Sequence, residues 1–124
     1  MKALLLVAHG SRRVASNDEV RELTKKLSKE KHHYNHVDCA FLELSEPSIP
    51  NGLRSAIKAG AKEIIVLPYF LSAGRHVAED IPEEVAIVQS ESPEISISIA
   101  PYLGHSHGLT TILLEQATLH NENT

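Results

Sequence analysis

One cysteine, no tryptophan and an aromatic fraction of 4% are the scarcities of this 124-residue chain. A single thiol, Cys39, closes no intrachain disulfide and builds no cysteine-rich zinc site. A reducing, cytoplasmic setting is the simplest one for such a chain. Few aromatics leave little for bases to stack on. Cations are also short: 12 Lys and Arg face 16 Asp and Glu, a net charge of −4. No basic stripe meets a phosphate backbone, so nucleic acid is not an expected partner. The N-terminal apolar run, Ala3 to Ala8, has six residues. It is too short for a membrane span or a signal segment, and it ends in His-Gly-Ser rather than a cleavage site. No Gly-x-Gly-x-x-Gly, Walker or Gly-x-Ser-x-Gly pattern occurs, so neither a nucleotide loop nor a nucleophile elbow is indicated.

What is present is the material for one folded domain. The chain is 42% apolar and 23% charged, a globular composition of single-domain length. Residues 1–120 are expected to form that domain and residues 121–124 to fray. Four apolar runs begin at positions 3, 37, 63 and 95: ALLLVA, VDCAFL, EIIVLPYF and ISISIAPY. The spacing is that of successive βαβ units, about 30 residues each. The first and third runs are continuously apolar, as in strands covered on both faces, whereas the fourth alternates Ile with Ser, as at an edge.

Helical patterns fill the gaps. Val20, Leu23 and Leu27 form a stripe among charges, with Ser16 or Asn17 as candidate cap. Ile49, Leu53 and Ile57 form another, with Pro50 near its start and Gly60 at its end. Ile81, Val85 and Val88 form a third, which Pro82 should kink or divide. Thr110 to His120 makes the last. The expected fold is α/β: a four-stranded parallel sheet with helices on both faces, in strand order 2-1-3-4.

In such sheets ligands bind beyond the carboxyl ends of the strands, where the order reverses. Each exit carries polar or titratable groups: His9-Gly10-Ser11-Arg12-Arg13, Glu43-Leu44-Ser45-Glu46, Leu71-Ser72-Ala73-Gly74-Arg75-His76 and Gly104-His105-Ser106-His107. His9 and His76 follow strands one and three, which are neighbours in this order. Two imidazoles there suit Co²⁺, Ni²⁺ or Fe²⁺, and Glu43 can add an oxygen ligand or accept protons. Taken singly, His9 is also readable as a loop residue, Glu43 as a surface acid or helix cap, and the arginines as solvated charges. His32, His33 and His36 lie in a polar turn and read as surface residues. His105 and His107 are on the correct edge but one strand further away.

The blocks HGSR, FLELSEPSIP, IIVLPYFLSAGRHVAEDIP and APYLG, in that order from about residue 3 to about residue 115, resemble the sirohydrochlorin cobaltochelatase family of class II tetrapyrrole chelatases. The third block is the most specific. The resemblance implies the small form with a single chelatase half, and therefore a homodimer. It implies His9 and His76 as metal-binding histidines, with His9 as the base for pyrrole protons and Glu43 as the active-site acid. It further implies tetrapyrrole contacts from Ser11, Arg12 and Glu43, and from the loop Phe70, Leu71, Ser72, Ala73, Gly74 and Arg75. The implied reaction is insertion of Co²⁺ into sirohydrochlorin, with Fe²⁺ or Ni²⁺ as alternative metals and no tightly bound cofactor. A metal carrier and a non-catalytic tetrapyrrole-binding subunit are the competing readings. The His105–His107 pair is a local departure that either adds a metal contact or does nothing.

The chemistry agrees with that implication. Insertion must remove two pyrrole protons while a divalent ion is delivered. A histidine, ordinarily titrating near about pH 6.5, takes up a proton near neutrality and as a neutral ring also holds metal. One nitrogen cannot do both at once, so a second group such as Glu43 is needed. A carboxylate-rich macrocycle on an acidic protein needs local cations and N–H donors. Arg12, Arg13, Arg75 and the amides of Gly10 and Gly74 can supply them.

Overall fold

The computed structural model describes residues 1–122. Strands β1 (Lys2–Ala8), β2 (His36–Phe41), β3 (Glu63–Pro68) and β4 (Ser96–Ile99) alternate with helices α1 (Val14–Lys29), α2 (Ile49–Lys58), α3 (Ile81–Glu91) and α4 (Leu109–Glu122). The sheet is parallel throughout and ordered β2-β1-β3-β4, with β1 central: Leu5 lies opposite Asp38 on one side and Val66 on the other. The expected fold class and strand order are both found. Of the segment expected to fray, residues 121 and 122 belong to α4, and residues 123 and 124 lie outside the described residues.

Side chains of a strand alternate between faces, and each face of this sheet has its own core. Leu5, Val7, Ala40, Ile64 and Val66 pack with Leu53 and Ala56 of α2 and with Ile81, Val85 and Val88 of α3. Leu6, Ala8, Cys39 and Phe41 face the other way, against Val20 of α1. Burying a side chain such as Leu53, which has no exposed surface, contributes about 1.5–3 kcal/mol. The glycine inside α2 serves this packing. A Cβ on Gly52 would sit 3.0 Å from Cβ of Ala40 and 3.3 Å from Leu5. The helix gives up about 1 kcal/mol of propensity there for a closer approach to the sheet.

Two details of α1 differ from expectation. The helix begins at Val14, so neither Ser16 nor Asn17 caps it. Its inward stripe is Asn17, Val20, Thr24 and Leu27, while Leu23 is exposed. Apolar spacing misplaced the stripe because two of its four members are polar. Thr24 is satisfied by donating to the carbonyl of Val20 at 2.8 Å, and Asn17 by the loop before the helix.

Pro82 divides the third helical segment as expected. A widened π-type turn over His76–Asp80, closed by the Ile81 amide on the carbonyl of His76, leads into α3 with Pro82 in its first turn. Proline has no N–H to donate, so regular helical bonding restarts there. The edge character of β4 is also found: Ser96, Ser98 and Ile99 are exposed, and Ile97 alone packs on the core. The fourth helix forms where expected, but it covers neither face of the sheet. It meets the rest of the chain chiefly at a 3₁₀ turn, Leu103–His105, and leaves Ile112, Leu113, Leu114 and Leu119 exposed.

Candidate active site

The exits of β1 and β2 are joined before any side chain is considered. Beyond the strands the backbone ladder continues, with Leu42 donating to Ala8 and Glu43 donating to His9 at 3.0 Å. Gly10 then turns the chain with φ of +93°. A Cβ at this position would lie 1.7 Å from the carbonyl oxygen of Glu43, so only glycine allows the two loops to approach. This is the physical content of the His-Gly-Ser sequence. The next residue is clamped as well: the Ser11 amide donates to Oδ1 of Asn17 at 2.9 Å, and Nδ2 of Asn17 returns a bond to the Ser11 carbonyl at 2.8 Å.

The Glu43 loop is strained and braced. Leu44 adopts φ of +64°, a backbone conformation that costs a residue with a Cβ about 1–3 kcal/mol. Arg21 of α1 supplies the brace. Its guanidinium stacks 5.0 Å over the Phe41 ring and donates to Oγ of Ser45 at 2.8 Å and to the carbonyl of Glu46 at 2.9 Å. Sequence reasoning missed Arg21 altogether and considered Asn17 only as a helix cap. Each looks like an ordinary helix residue until the loop it holds is in place.

The site side chains meet on this frame. Nε2 of His9 lies 3.0 Å from Oε1 of Glu43. The ring of His76 comes from the far end of the β3 exit loop to within 4.6 Å of the His9 ring, centroid to centroid. Phe70 also stands beside His9, at 6.3 Å between ring centroids. Nδ1 of His76 is 2.7 Å from Oδ2 of Asp80, one turn along the same segment. The result is two imidazoles, each tied to a carboxylate, with their rings adjacent at an open edge. Roughly half of each imidazole is exposed. Among the described residues, no three His, Cys, Asp or Glu side chains are grouped so as to hold a metal ion together.

Other candidates are placed as follows. Leu71 is exposed, and with Tyr69, Phe70 and Leu103 it lines an apolar pocket of about 250 Å³ next to the histidines. Ser72, Ala73 and Gly74 form an exposed rim, and a Cβ on Gly74 would meet nothing within 4 Å, so its glycine is not sterically required. Arg75 is exposed but lies 3.4 Å from Glu79. Arg12 and Arg13 are exposed beside the His9 loop. The 3₁₀ turn is tied to the site through the Gly104 amide, which donates to the Phe70 carbonyl at 2.9 Å. His105, the last residue of that turn, and His107 are exposed with ring centroids 6.3 Å apart, and they do not join the His9–His76 pair. His36 opens β2 at the amino end of the sheet, away from the site, and His32 bonds locally to Ser28 and Tyr34. Burial raises the pKa of the Cys39 thiol, as expected of a small core residue.

A parallel α/β sheet with two adjacent imidazoles at its topological switch point places ligand-binding groups where open α/β domains hold their ligands. The chain belongs to the CbiX family, whose model matches residues 3–119. It is 40% identical over 91 residues to the sirohydrochlorin cobaltochelatase of Methanococcus aeolicus, a match covering 73% of this chain and 63% of that protein. The chain thus spans about three-fifths of that relative's length. It is 32% identical over 117 residues to the sirohydrochlorin cobaltochelatase of Sulfolobus acidocaldarius, covering 94% of this chain and 90% of the other. The crystal structure of the sirohydrochlorin chelatase SirB from Bacillus subtilis subspecies spizizenii in complex with cobalt superposes with a TM-score of 0.85 at 31% identity, over 94% of this chain and 50% of that one. No helix among the described residues is long and apolar enough to cross a membrane.

Proposed function

We propose that this protein inserts Co²⁺ into sirohydrochlorin, releasing the two pyrrole protons that the metal replaces. The observation that carries the reading is the meeting of His9 and His76, 4.6 Å apart, beside Glu43. The names of the relatives and the cobalt bound to SirB support the choice of substrate and metal. Fe²⁺ and Ni²⁺ accept the same imidazole and carboxylate donors, so metal supply also bears on the choice.

The roles follow from the donors. His9 and His76 hold the incoming ion between them. His9 and Glu43 share a hydrogen bond, so a proton taken from a pyrrole nitrogen by the imidazole has a carboxylate 3.0 Å away to receive it. Metal binding and proton uptake can then use different atoms. Phe70 and Leu71 offer an apolar wall to the macrocycle, and Ser72, Ala73 and Gly74 a rim without bulk. Ser11, Arg12 and Arg13 face the peripheral carboxylates, and Arg75 joins them on exchanging Glu79 for a substrate carboxylate. No tightly bound cofactor is needed. The single cysteine suits a cytoplasmic setting.

The active unit in this reading is a homodimer. Support comes from α4, a 14-residue helix on which Ile112, Leu113, Leu114 and Leu119 are about half exposed or more. A helix of that length is marginal in water without a packed face. SirB, of which this chain matches half, has room for a second such domain in one polypeptide.

The test is direct. Protein, Co²⁺ and sirohydrochlorin are mixed and the visible spectrum is followed. Enzyme-dependent conversion of the free macrocycle to its cobalt complex is expected. Metal binding without turnover would instead identify a carrier, and tetrapyrrole binding alone a non-catalytic subunit.

A further inference from the structure

The two imidazoles of the site are tied through different nitrogens. His9 uses Nε2 toward Glu43, whereas His76 uses Nδ1 toward Asp80. We infer that Asp80 is a positioning residue for the metal-holding function of His76: it accepts a hydrogen bond from Nδ1–H and thereby leaves the Nε2 lone pair free for the ion. The inference rests on the reading of His76 as a metal ligand.

The geometry supports it in three ways. The contact is short, 2.7 Å, within the range of a charge-assisted bond between a ring N–H and a carboxylate. Asp80 is the less exposed partner, at 33% against 45% for His76, so the imidazole keeps solvent-accessible surface while Nδ1 is engaged by the carboxylate. Both residues belong to the widened turn His76–Asp80, which Pro82 anchors by interrupting the regular helical bonding just beyond it. No second ion pair engages Asp80 among the described residues.

The chemical consequence is specific. An imidazole with its proton on Nε2 has no lone pair there and cannot bind an ion from that side. A carboxylate on Nδ1 selects the other tautomer, fixes the ring about its last torsion and makes the free nitrogen a stronger donor. Loss of such a partner commonly weakens metal binding about 10–100-fold. Orientation and charge are separable here. The substitution Asp80→Asn keeps an acceptor oxygen for the Nδ1 proton without the charge, and Asp80→Ala supplies neither.

The experiment compares wild type, Asp80→Asn and Asp80→Ala in two measurements. The first is calorimetric titration with Co²⁺ alone, without tetrapyrrole. The expected order of affinity is wild type, then Asp80→Asn, then Asp80→Ala, with the last weakened about 10–100-fold. Co²⁺ affinity of Asp80→Ala within about twofold of wild type, well short of that range, would overturn the inference. The second is ¹⁵N NMR of the imidazole rings in metal-free protein, which reads the tautomer of His76 directly. Wild type and Asp80→Asn should show the proton on Nδ1, and Asp80→Ala should lose that preference. An unchanged His76 signal in Asp80→Ala would overturn the inference even in a protein that binds no Co²⁺. Absence of Co²⁺ binding by wild type would instead count against the metal reading itself. The near-isosteric asparagine variant, and an NMR check that Phe70 still stands beside His9 in each variant, guard against misfolding as the cause.

Discussion

The loops at the carboxyl ends of β1 and β2 and the helix at the end of the chain are opposites. The loops have small residues and little apolar cover, yet the backbone and side chains around His9 and Glu43 are held by a dense set of hydrogen bonds. The helix is rich in leucine and isoleucine, yet its apolar surface meets almost nothing. Apolar content is therefore a poor guide to which part of this molecule is held. Directional bonds and two sterically demanded glycines, Gly10 against the Glu43 carbonyl and Gly104 against the Leu71 carbonyl, place the site, while hydrophobic side chains place a segment only when a complementary face exists.

That contrast can be broken or sharpened experimentally. The largest effect is expected from His9→Ala and His76→Ala. Each should lower chelatase turnover at least about 100-fold, on the scale of a lost acid–base or ligand group, with little change in melting temperature because both rings are half exposed. Full activity in either variant would discard the metal assignment. Gly10→Ala comes next. Positive φ alone costs about 1–3 kcal/mol, and the Glu43 carbonyl must also move, so the denaturant midpoint and the activity should fall together. A variant with normal stability would show that the loops tolerate separation. For the proposed homodimer, changing Leu113 and Leu114 together to glutamate should yield a monomer in analytical ultracentrifugation while leaving the fold of the sheet unchanged; a dimer that survives would mean that α4 is not its seam.

The smallest effect belongs to the far side of the domain. Arg54 of α2 grips Glu91 of α3 through two bonds, at 2.9 and 2.6 Å, and the hydrogen bond holds the Glu91 carboxyl below its ordinary pKa. A lowered carboxylate pKa stabilises the fold above the ordinary glutamate range, and that contribution is lost as the pH falls through the folded-state value. Glu91→Gln should thus lower the melting temperature slightly at neutral pH, and the difference from wild type should vanish in acid. Both groups are exposed, so salt should shrink it as well.

The amino-acid order by itself determined the strands, their sequence in the sheet and the edge on which the site lies. Those features are written in local patterns: apolar runs of strand length, a βαβ spacing, and glycine or proline at element ends. It also singled out His9, Glu43 and His76, because each lies in a loop that leaves the carboxyl end of a strand. Local pattern failed for α1, where Asn17 and Thr24 occupy buried positions that apolar spacing assigned partly to Leu23. It was silent on Arg21, whose partners Ser45 and Glu46 are 24 and 25 residues away in the chain. Asp80 was equally hidden, since one acid among several near His76 becomes its partner only through the shape of the turn that carries both. Tertiary structure alone decided which nitrogen of each imidazole is engaged, which glycines are indispensable and which helix is left largely without cover. The physical reason is that hydrogen bonds and steric contacts act over about 3–4 Å in space, whereas sequence periodicity reports only which side of an element avoids water.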